Sequence, residues 1–163
     1  MTTYVTRLEC VFCGEEYENR PMFEGCPSCK TKKFVSNVAP VYDYDVLAKR
    51  ISRKTFENFN DMWAYADLLP VDIKYAVTLG EGGTPLIECP TFGSEESIKL
   101  YIKDESQNPT WSFKDRLCSV AVSKAVEIGA KKITIASTGN HGASTAAYAG
   151  RAGLGSVVFT LES

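Results

Sequence analysis

The sequence predicts an α/β fold, in which the start of a doubly wound parallel sheet follows a small cysteine-rich segment. Strand-like and helix-like patterns alternate from about residue 80 onward and are joined by short links. Four of the six cysteines fall within the first 29 residues, where long apolar patterns are absent. We therefore divide the chain into a cysteine-rich segment, residues 1–36, and the first portion of a larger α/β unit, residues 37–163.

Composition and charge narrow the classes of protein to consider. The apolar fraction of 44%, the charged fraction of 23% and the net charge of -2 are ordinary for a globular protein in water. No basic stripe is present, which argues against nucleic acid as a partner. The N-terminus lacks the apolar core of a secretory signal, and no apolar run approaches the ~20 residues that span a bilayer. We expect a cytoplasmic protein that binds neither nucleic acid nor membrane.

The clustered cysteines follow the spacing C-x2-C, twelve residues, C-x2-C. Two residues between cysteines let a tight turn direct both sulfurs at one point, and two such turns supply four thiolates for Zn²⁺. Disulfides or free thiols are the alternative, but a chain without a secretory signal favours metal. Four cysteines leave no open coordination position, so we expect a structural zinc. Its ligands would be Cys10, Cys13, Cys26 and Cys29.

The middle of the chain, up to about residue 79, is aromatic and charged. Its apolar spacing predicts one or two helices before Pro70. The residues that carry this spacing are Val46, Leu47, Ile51, Met62, Trp63, Tyr65, Ala66 and Leu69.

The last section carries the clearest pattern of elements. Strands are predicted at Ile98–Glu105, Lys132–Ser137 and Ser156–Leu161. Helices are predicted between them, one beginning after Ser112 and one over Ala143–Ala152 that Gly153 closes. Strand, helix and strand with short links form a βαβ unit, so the sheet should be parallel with a right-handed crossover.

The first of these two helices has a recognisable start and end. Ser112 fits its N-cap with Asp115 completing a short capping box, and Gly129 fits the position just past its end. One apolar face is expected to pack on the core. Its residues are Phe113, Leu117, Val120, Ala121, Ala125 and Ile128.

Two polar features lie where these helices begin. Lys114 alone would be interpreted as a solvated surface charge, but a lysine held at a helix start after a strand can also act as a nucleophile. The turn Ser137–His141 follows a strand and opens a helix, so its backbone N–H groups could hold a carboxylate. A polar, N-capped helix start is the alternative. His141, the only histidine, is by itself a typical solvent-facing residue.

Four segments carry a resemblance to a known family. NPTWSFKDR (108–116), LGEGGTPL (79–86), STGNHGASTAAYAGRAG (137–153) and MWAYADLLPV (62–71) resemble motifs of pyridoxal-phosphate enzymes of the tryptophan-synthase-β type. Their order and content are most similar to those of the threonine synthases. A cysteine-knuckle segment at the N-terminus also occurs in some members. The resemblance implies the N-terminal part of the doubly wound pyridoxal-phosphate fold.

The resemblance also implies roles for individual residues. Lys114 would bond to pyridoxal phosphate and, once released, would move protons between substrate and cofactor. Asn140 would hydrogen-bond the 3′-oxygen of the cofactor ring. The backbone of the turn would hold the carboxylate of a small amino-acid substrate. The residues of this turn are Ser137, Thr138, Gly139, Asn140 and His141.

A threonine synthase would convert O-phosphohomoserine and water to threonine and phosphate. The alternatives are another β-elimination or β-replacement enzyme, similar to the serine and threonine dehydratases, or a non-catalytic zinc-binding relic. Trp111 stands where the family usually has glycine, and its indole could fill substrate space or pack on a neighbouring helix. The resemblance leaves a homodimer open. The family's phosphate loop would lie beyond Ser163, so we expect the front of a longer protein that is inactive alone.

Overall fold

The computed structural model describes residues 3–57, 59–91 and 98–161. A small antiparallel sheet lies at the N-terminus, with β1 (Val5–Cys10) between β2 (Glu16–Tyr17) and β3 (Val38–Tyr42). β1 pairs with β3 from Val5 to Cys10, with one irregularity between Val5 and Arg7. This sheet holds the ends of the cysteine-rich segment together. The domain division at residue 36 stays a prediction.

The first predicted helix of the middle section is confirmed as α1 (Tyr44–Arg50), which Asp43 caps by accepting a hydrogen bond from the N–H of Val46. The second predicted helix is also present, but it is a 3₁₀ helix. Residues Met62–Leu68 form a 3₁₀ helix that is interrupted at Tyr65, where ψ is 19°. Two further short 3₁₀ turns, Arg53–Phe56 and Ile73–Tyr75, flank it, so this section follows the surface of the larger unit as a series of turns.

The strand predicted at Ile98–Glu105 is shorter and paired differently from the expectation. β4 (Leu86–Glu88) and β5 (Tyr101–Lys103) form an antiparallel pair, with Ile87 opposite Ile102. The chain turns after β5 through a 3₁₀ helix at Glu105–Gln107, which Asp104 caps, and this early turn ends the strand before its predicted limit.

The expected parallel pairing is confirmed for the last two strands. α2 (Lys114–Glu127), β6 (Lys132–Ala136), α3 (Asn140–Arg151) and β7 (Gly155–Phe159) follow each other in the chain. β6 and β7 pair in parallel over five residues each, with α3 as the connection. Gly129 and Gly153 end the two helices with φ values of +75° and +69°, as the sequence predicted.

The predicted buried face of α2 is wrong. Phe113, Leu117, Ala121 and Ile128 are exposed, and Val120 and Ala125 are only partly buried. The face that is buried carries small and polar side chains instead. Its residues are Asp115, Cys118, Ser119, Val122 and Ser123. Apart from the apolar Val122, these side chains hydrogen-bond to neighbouring groups, which offsets the cost of burying them.

The predicted capping box at the start of α2 is also wrong in part. Ser112 does accept a hydrogen bond from the N–H of Lys114, at 3.2 Å. Asp115 does not return to the backbone of Ser112, because its carboxylate bonds Thr110 and Ser144. The helix start is therefore tied to a neighbouring helix rather than closed on itself.

Two groups of buried apolar side chains form the core. One joins Val77, Cys118, Val122 and Tyr148, so Cys118 packs as a small apolar residue. The other joins Met62, Trp63 and Val71, with Val120 of α2 against it. Within the described ranges, no helix is long and apolar enough to cross a bilayer.

Candidate functional site

The first turns of α2 and α3 lie side by side. Lys114 is the first residue of α2 and Asn140 is the first residue of α3. Two contacts join the helices just behind these residues. The Ser144 hydroxyl donates to Asp115 Oδ1 at 2.6 Å, and Cys118 Sγ lies 3.4 Å from Thr145 Oγ1. The structure thus brings the predicted lysine and asparagine to the same end of a helix pair.

The turn before Lys114 is held by Asn108, which is 2% exposed. Its Nδ2 donates to the carbonyl of Glu105 at 2.8 Å and to Glu105 Oε2 at 3.0 Å. Its Oδ1 accepts from the N–H of Gly82 at 3.1 Å, and its backbone carbonyl accepts from the N–H of Trp111 at 2.8 Å. Asn108 therefore joins the turn to the glycine loop at residues 79–86. Asn108 is part of the 108–116 motif, but the sequence pattern does not indicate this role.

Two glycines let that loop pass close to the 3₁₀ segment. Gly82 has a φ of +95°, and a Cβ at this position would lie 2.6 Å from the backbone nitrogen of Met62. Gly83 has a φ of +59°, and its Cβ would lie 2.5 Å from the carbonyl oxygen of Asn60. A side chain at either position would collide with backbone and would also strain its own conformation.

An ion pair fixes the same region from the other side. Arg116 donates through Nε to Glu105 Oε2 at 2.7 Å and through Nη2 to Glu105 Oε1 at 2.8 Å. Thr84 donates to the same carboxylate at 2.7 Å. These hydrogen bonds, led by those of Arg116, lower the pKa of Glu105 to about 2. The pair anchors α2 to the end of β5.

Glu81 is a fully buried carboxylate that joins three parts of the chain. It accepts from Trp63 Nε1 at 2.9 Å, from the Tyr148 hydroxyl at 2.7 Å and from the N–H of Leu79 at 3.0 Å. Burial tends to raise the pKa of Glu81, but contacts with Ser119 and Tyr148 outweigh it and lower the pKa below its usual value. Glu81 therefore stays ionised, and it holds the 62–69 segment against α3.

Trp111 has an unusual backbone conformation. Its φ is +57°, and within the described ranges it is the only residue other than glycine with a positive φ. Its side chain is 82% exposed, so it does not pack against a neighbouring helix, one of the two roles foreseen for it. Beside it, Lys114 Nζ lies 4.5 Å from the centre of the Phe113 ring. The lysine amine and two aromatic rings thus occupy one end of α2.

The turn before α3 offers free backbone donors. Ser137 Oγ accepts from the N–H of Gly139 at 3.3 Å and from that of Gly142 at 3.1 Å. In the part of the chain that the structure describes, the N–H groups of Thr138, Asn140 and His141 have no acceptor. Free N–H groups at a helix N-terminus, with its positive dipole end, suit an anion such as a carboxylate.

The four clustered cysteines form a second candidate site. Their sulfurs all lie within 4.8 Å of one another, with Cys10 3.8 Å from Cys29 and Cys13 3.8 Å from Cys26. A disulfide requires about 2.05 Å, so the disulfide alternative does not fit. A zinc ion with four sulfurs at ~2.3 Å gives sulfur–sulfur edges of ~3.8 Å in a regular tetrahedron. The geometry fits a four-thiolate metal site.

Hydrogen bonds support two of these sulfurs. The N–H groups of Phe12 and Cys13 donate to Cys10 Sγ at 3.4 and 3.5 Å, and the Tyr17 hydroxyl lies 3.0 Å from Cys26 Sγ. Burial raises the pKa of Cys10, but bonding to Cys13, Ser36 and Phe12 outweighs it and lowers the pKa to about 6. Such bonds stabilise the thiolate form that a metal requires.

Comparison with known proteins identifies the class. A family model described as pyridoxal-phosphate dependent enzyme matches residues 77–163. The match covers more than half of the chain, and the chain belongs to this family. The residues described above fit the cofactor. Lys114 offers an amine for an aldehyde, Asn140 an amide for a ring oxygen, and the α3 turn free donors for a carboxylate.

The most similar relatives include curated threonine synthases. That of Methanosarcina acetivorans is 41% identical over 152 residues, which are 93% of this chain and 36% of the relative. That of Methanocaldococcus jannaschii is 37% identical over 156 residues, 94% of this chain and 37% of the relative. That of Halalkalibacterium halodurans is 50% identical over 99 residues, 60% of this chain and 28% of the relative. The chain spans about a third of the length of the relatives it matches.

Proposed function

We propose that this chain is the lysine-bearing part of a threonine synthase, which converts O-phosphohomoserine and water to threonine and phosphate. The 41% identity to a curated threonine synthase across 93% of this chain carries the proposal. The family model, which matches residues 77–163, includes Glu81 and both helix starts. The pair β6 and β7 with their connecting helix is then the beginning of a doubly wound parallel sheet.

Different residues would bind the cofactor and the substrate. Lys114 would hold pyridoxal phosphate through its amine, and Asn140 would orient the cofactor ring. The N–H groups of Thr138, Asn140 and His141 would bind the substrate carboxylate. Bound pyridoxal phosphate supplies the electron sink for a substrate carbanion. The protein's part is to fix the substrate against it with few degrees of freedom.

Proton movement is the second task of the chain. Lys114 Nζ is the basic group at this end of α2, and it is held above the Phe113 ring at 4.5 Å. From this place its amine would take a proton from one substrate carbon and return it at another. The reaction that we propose eliminates phosphate at the γ carbon and adds water at the β carbon. The added water oxygen becomes the threonine hydroxyl.

Product analysis of the complete gene product tests the proposal. O-phosphohomoserine with pyridoxal phosphate should yield equal amounts of phosphate and threonine. Borohydride reduction should place one cofactor on Lys114, and Lys114→Ala should abolish both results. Lys49→Ala, at an exposed lysine on α1, is the matched control and should leave both unchanged. Phosphate release without threonine would contradict the proposal, and keto-acid formation from serine or threonine would favour a dehydratase.

We also propose that Cys10, Cys13, Cys26 and Cys29 bind a structural Zn²⁺. The closed set of four sulfurs at tetrahedral spacing supports this, because no position remains for a substrate. Elemental analysis of purified protein should find one zinc per chain, and Cys13→Ser should lower that content. Cys89→Ser, outside the cluster, is the control. A protein without zinc would contradict the proposal.

We propose a cytoplasmic location for the protein. None of its six cysteines forms a disulfide, and thiols stay reduced in the cytoplasm.

A further inference from the structure

The carboxylate of Asp115 is fully buried next to Lys114 in the chain. It accepts from the N–H of Thr110 at 2.6 Å, from the Thr110 hydroxyl and from the Ser144 hydroxyl at 2.6 Å. Thr110 belongs to the turn that precedes α2, and Ser144 lies one turn into α3. A single side chain therefore links the turn, the start of α2 and the start of α3.

We propose that Asp115 is a positioning residue, which sets the place of the Lys114 amine relative to the N-terminus of α3. This inference rests on the proposed function of Lys114 and Asn140. Asp115 would touch neither substrate nor cofactor in this role. It would act through Lys114, its chain neighbour, by fixing where and at what angle α2 begins.

Few other side-chain hydrogen bonds stabilise the first turn of α2. Phe113 occupies the N-cap position of α2 and makes no side-chain cap. Ser112 alone caps the first turn, at 3.2 Å to the N–H of Lys114. The hydrogen bonds of Asp115 are shorter, and they reach both upstream and across the helix pair. Without them the first turn of α2 would be free to fray.

The charge of Asp115 argues in the same direction. Burying a carboxylate is costly, and in the described ranges no cationic side chain pairs with this one. Its compensation comes from three hydrogen bonds and from the positive end of the α2 dipole. An apolar side chain would fill this space at less cost, but it could not hold three partners in fixed directions. An aspartate at position 115 therefore fixes the directions of its three partners at some cost in folding stability.

Two variants and a matched control test the proposal in the complete gene product. Ser144→Ala removes one donor from Asp115 and keeps the carboxylate. Asp115→Asn keeps the shape but places an amide against donors. Ser123→Ala removes a hydroxyl that is equally buried on α2 but lies far from Lys114. Ser123 accepts from the N–H of Val77, so this control also loses a buried hydrogen bond.

The first measurement uses the complete gene product after removal of pyridoxal phosphate, because a cofactor bonded to Lys114 would block its amine, and it needs no substrate. Acetic anhydride is added in trace amounts, and mass spectrometry gives the acetylation of Lys114 relative to Lys49. Ser144→Ala and Asp115→Asn should raise this ratio about threefold or more, because a frayed turn exposes the amine. Ser123→Ala should leave the ratio at its wild-type value. If Asp115→Asn fails to fold, Ser144→Ala decides the question.

The second measurement uses threonine formation. The kcat of Ser144→Ala should fall about tenfold to a hundredfold with little change in KM, because misplacement affects the reacting step. Ser123→Ala should keep its kcat even where its thermal stability falls as much. Equal acetylation ratios and equal kcat values in Ser144→Ala and Ser123→Ala would overturn the proposal. A wild-type protein that makes no threonine would contradict the proposed function, and the acetylation ratio would still decide the role of Asp115.

Discussion

Trp111 allows a direct measurement of backbone strain beside the lysine. Its φ of +57° lies in the left-handed region, which costs a residue with a Cβ about 1–2 kcal/mol. Its indole is 82% exposed, so most of the ring makes no contact that would repay this cost. We predict that Trp111→Gly is more stable than Trp111→Ala, the reverse of the usual order of these two residues.

The magnitude follows from two opposing effects. Alanine at position 111 keeps the strain of about 1–2 kcal/mol, and glycine removes it. Glycine loses about 0.5–1 kcal/mol more than alanine in backbone entropy on folding. The lost ring contacts are the same in both variants and cancel. The free energy of unfolding should therefore be greater for the glycine variant by about 0.5–1 kcal/mol, which corresponds to about 1–4 °C in Tm.

Urea unfolding followed by circular dichroism gives the difference directly. Glu57 supplies the control, since it is exposed and has an ordinary φ of -65°. At this position alanine should be more stable than glycine by about 0.5–1 kcal/mol. The two pairs of variants should thus show opposite signs. If Trp111→Ala equals or exceeds Trp111→Gly in stability, the residue at position 111 is not held in the left-handed region and the reasoning fails.

Three further predictions concern the surroundings of the site. The stabilisation from Glu105 and Arg116 should be complete above pH 4.5, the ordinary pKa of a glutamate, and should be lost as the pH falls toward about 2. Their partial exposure limits it to about 1–2 kcal/mol, measured as the difference from Glu105→Gln in urea. Gly82→Ala should cost at least about 3 kcal/mol, and Gly80→Ala, with a similar φ but open space, about 1 kcal/mol. A zinc chelator should unfold residues 1–36 first, seen as faster amide hydrogen exchange there.

Each of these has a clear contrary outcome. A Glu105→Gln difference that stays constant from pH 6 to pH 2 would show that the carboxylate titrates normally in the folded protein. Equal losses for Gly82→Ala and Gly80→Ala would show that the approach to Met62 is not close. Unchanged exchange after complete removal of zinc would show that the antiparallel sheet holds the cysteine segment without metal.

The elements set by local chemistry could be predicted from the sequence. Positive-φ glycines end α2 and α3 where the pattern placed them, because a helix C-terminus depends on a few adjacent residues. The strands β6 and β7 could be predicted because a short run rich in β-branched residues between two helices strongly favours a strand. The cysteine spacing predicted the cluster because two tight turns need only local geometry.

The buried face of α2 could not be predicted in this way. An apolar count selects Phe113 and Leu117, which are exposed, over Asp115 and Ser119, which are fully buried. The difference lies in partners that are distant in sequence. Ser144 is 29 residues from Asp115, and Trp63 is 56 residues from Ser119. A polar side chain with a partner can be buried at little cost, and no local pattern reveals that partner.

The buried contacts of Glu81 have a consequence for how such chains diverge. Trp63, Glu81 and Tyr148 stand in three different signature segments, yet they share one set of hydrogen bonds. A substitution at any one of them leaves a buried donor or a buried charge without its hydrogen-bond partner. Tolerated substitutions should therefore occur together, at two or three of these positions. The three signature segments therefore do not vary independently of one another. A similarity search that scores them as independent evidence of common ancestry counts one structural constraint three times.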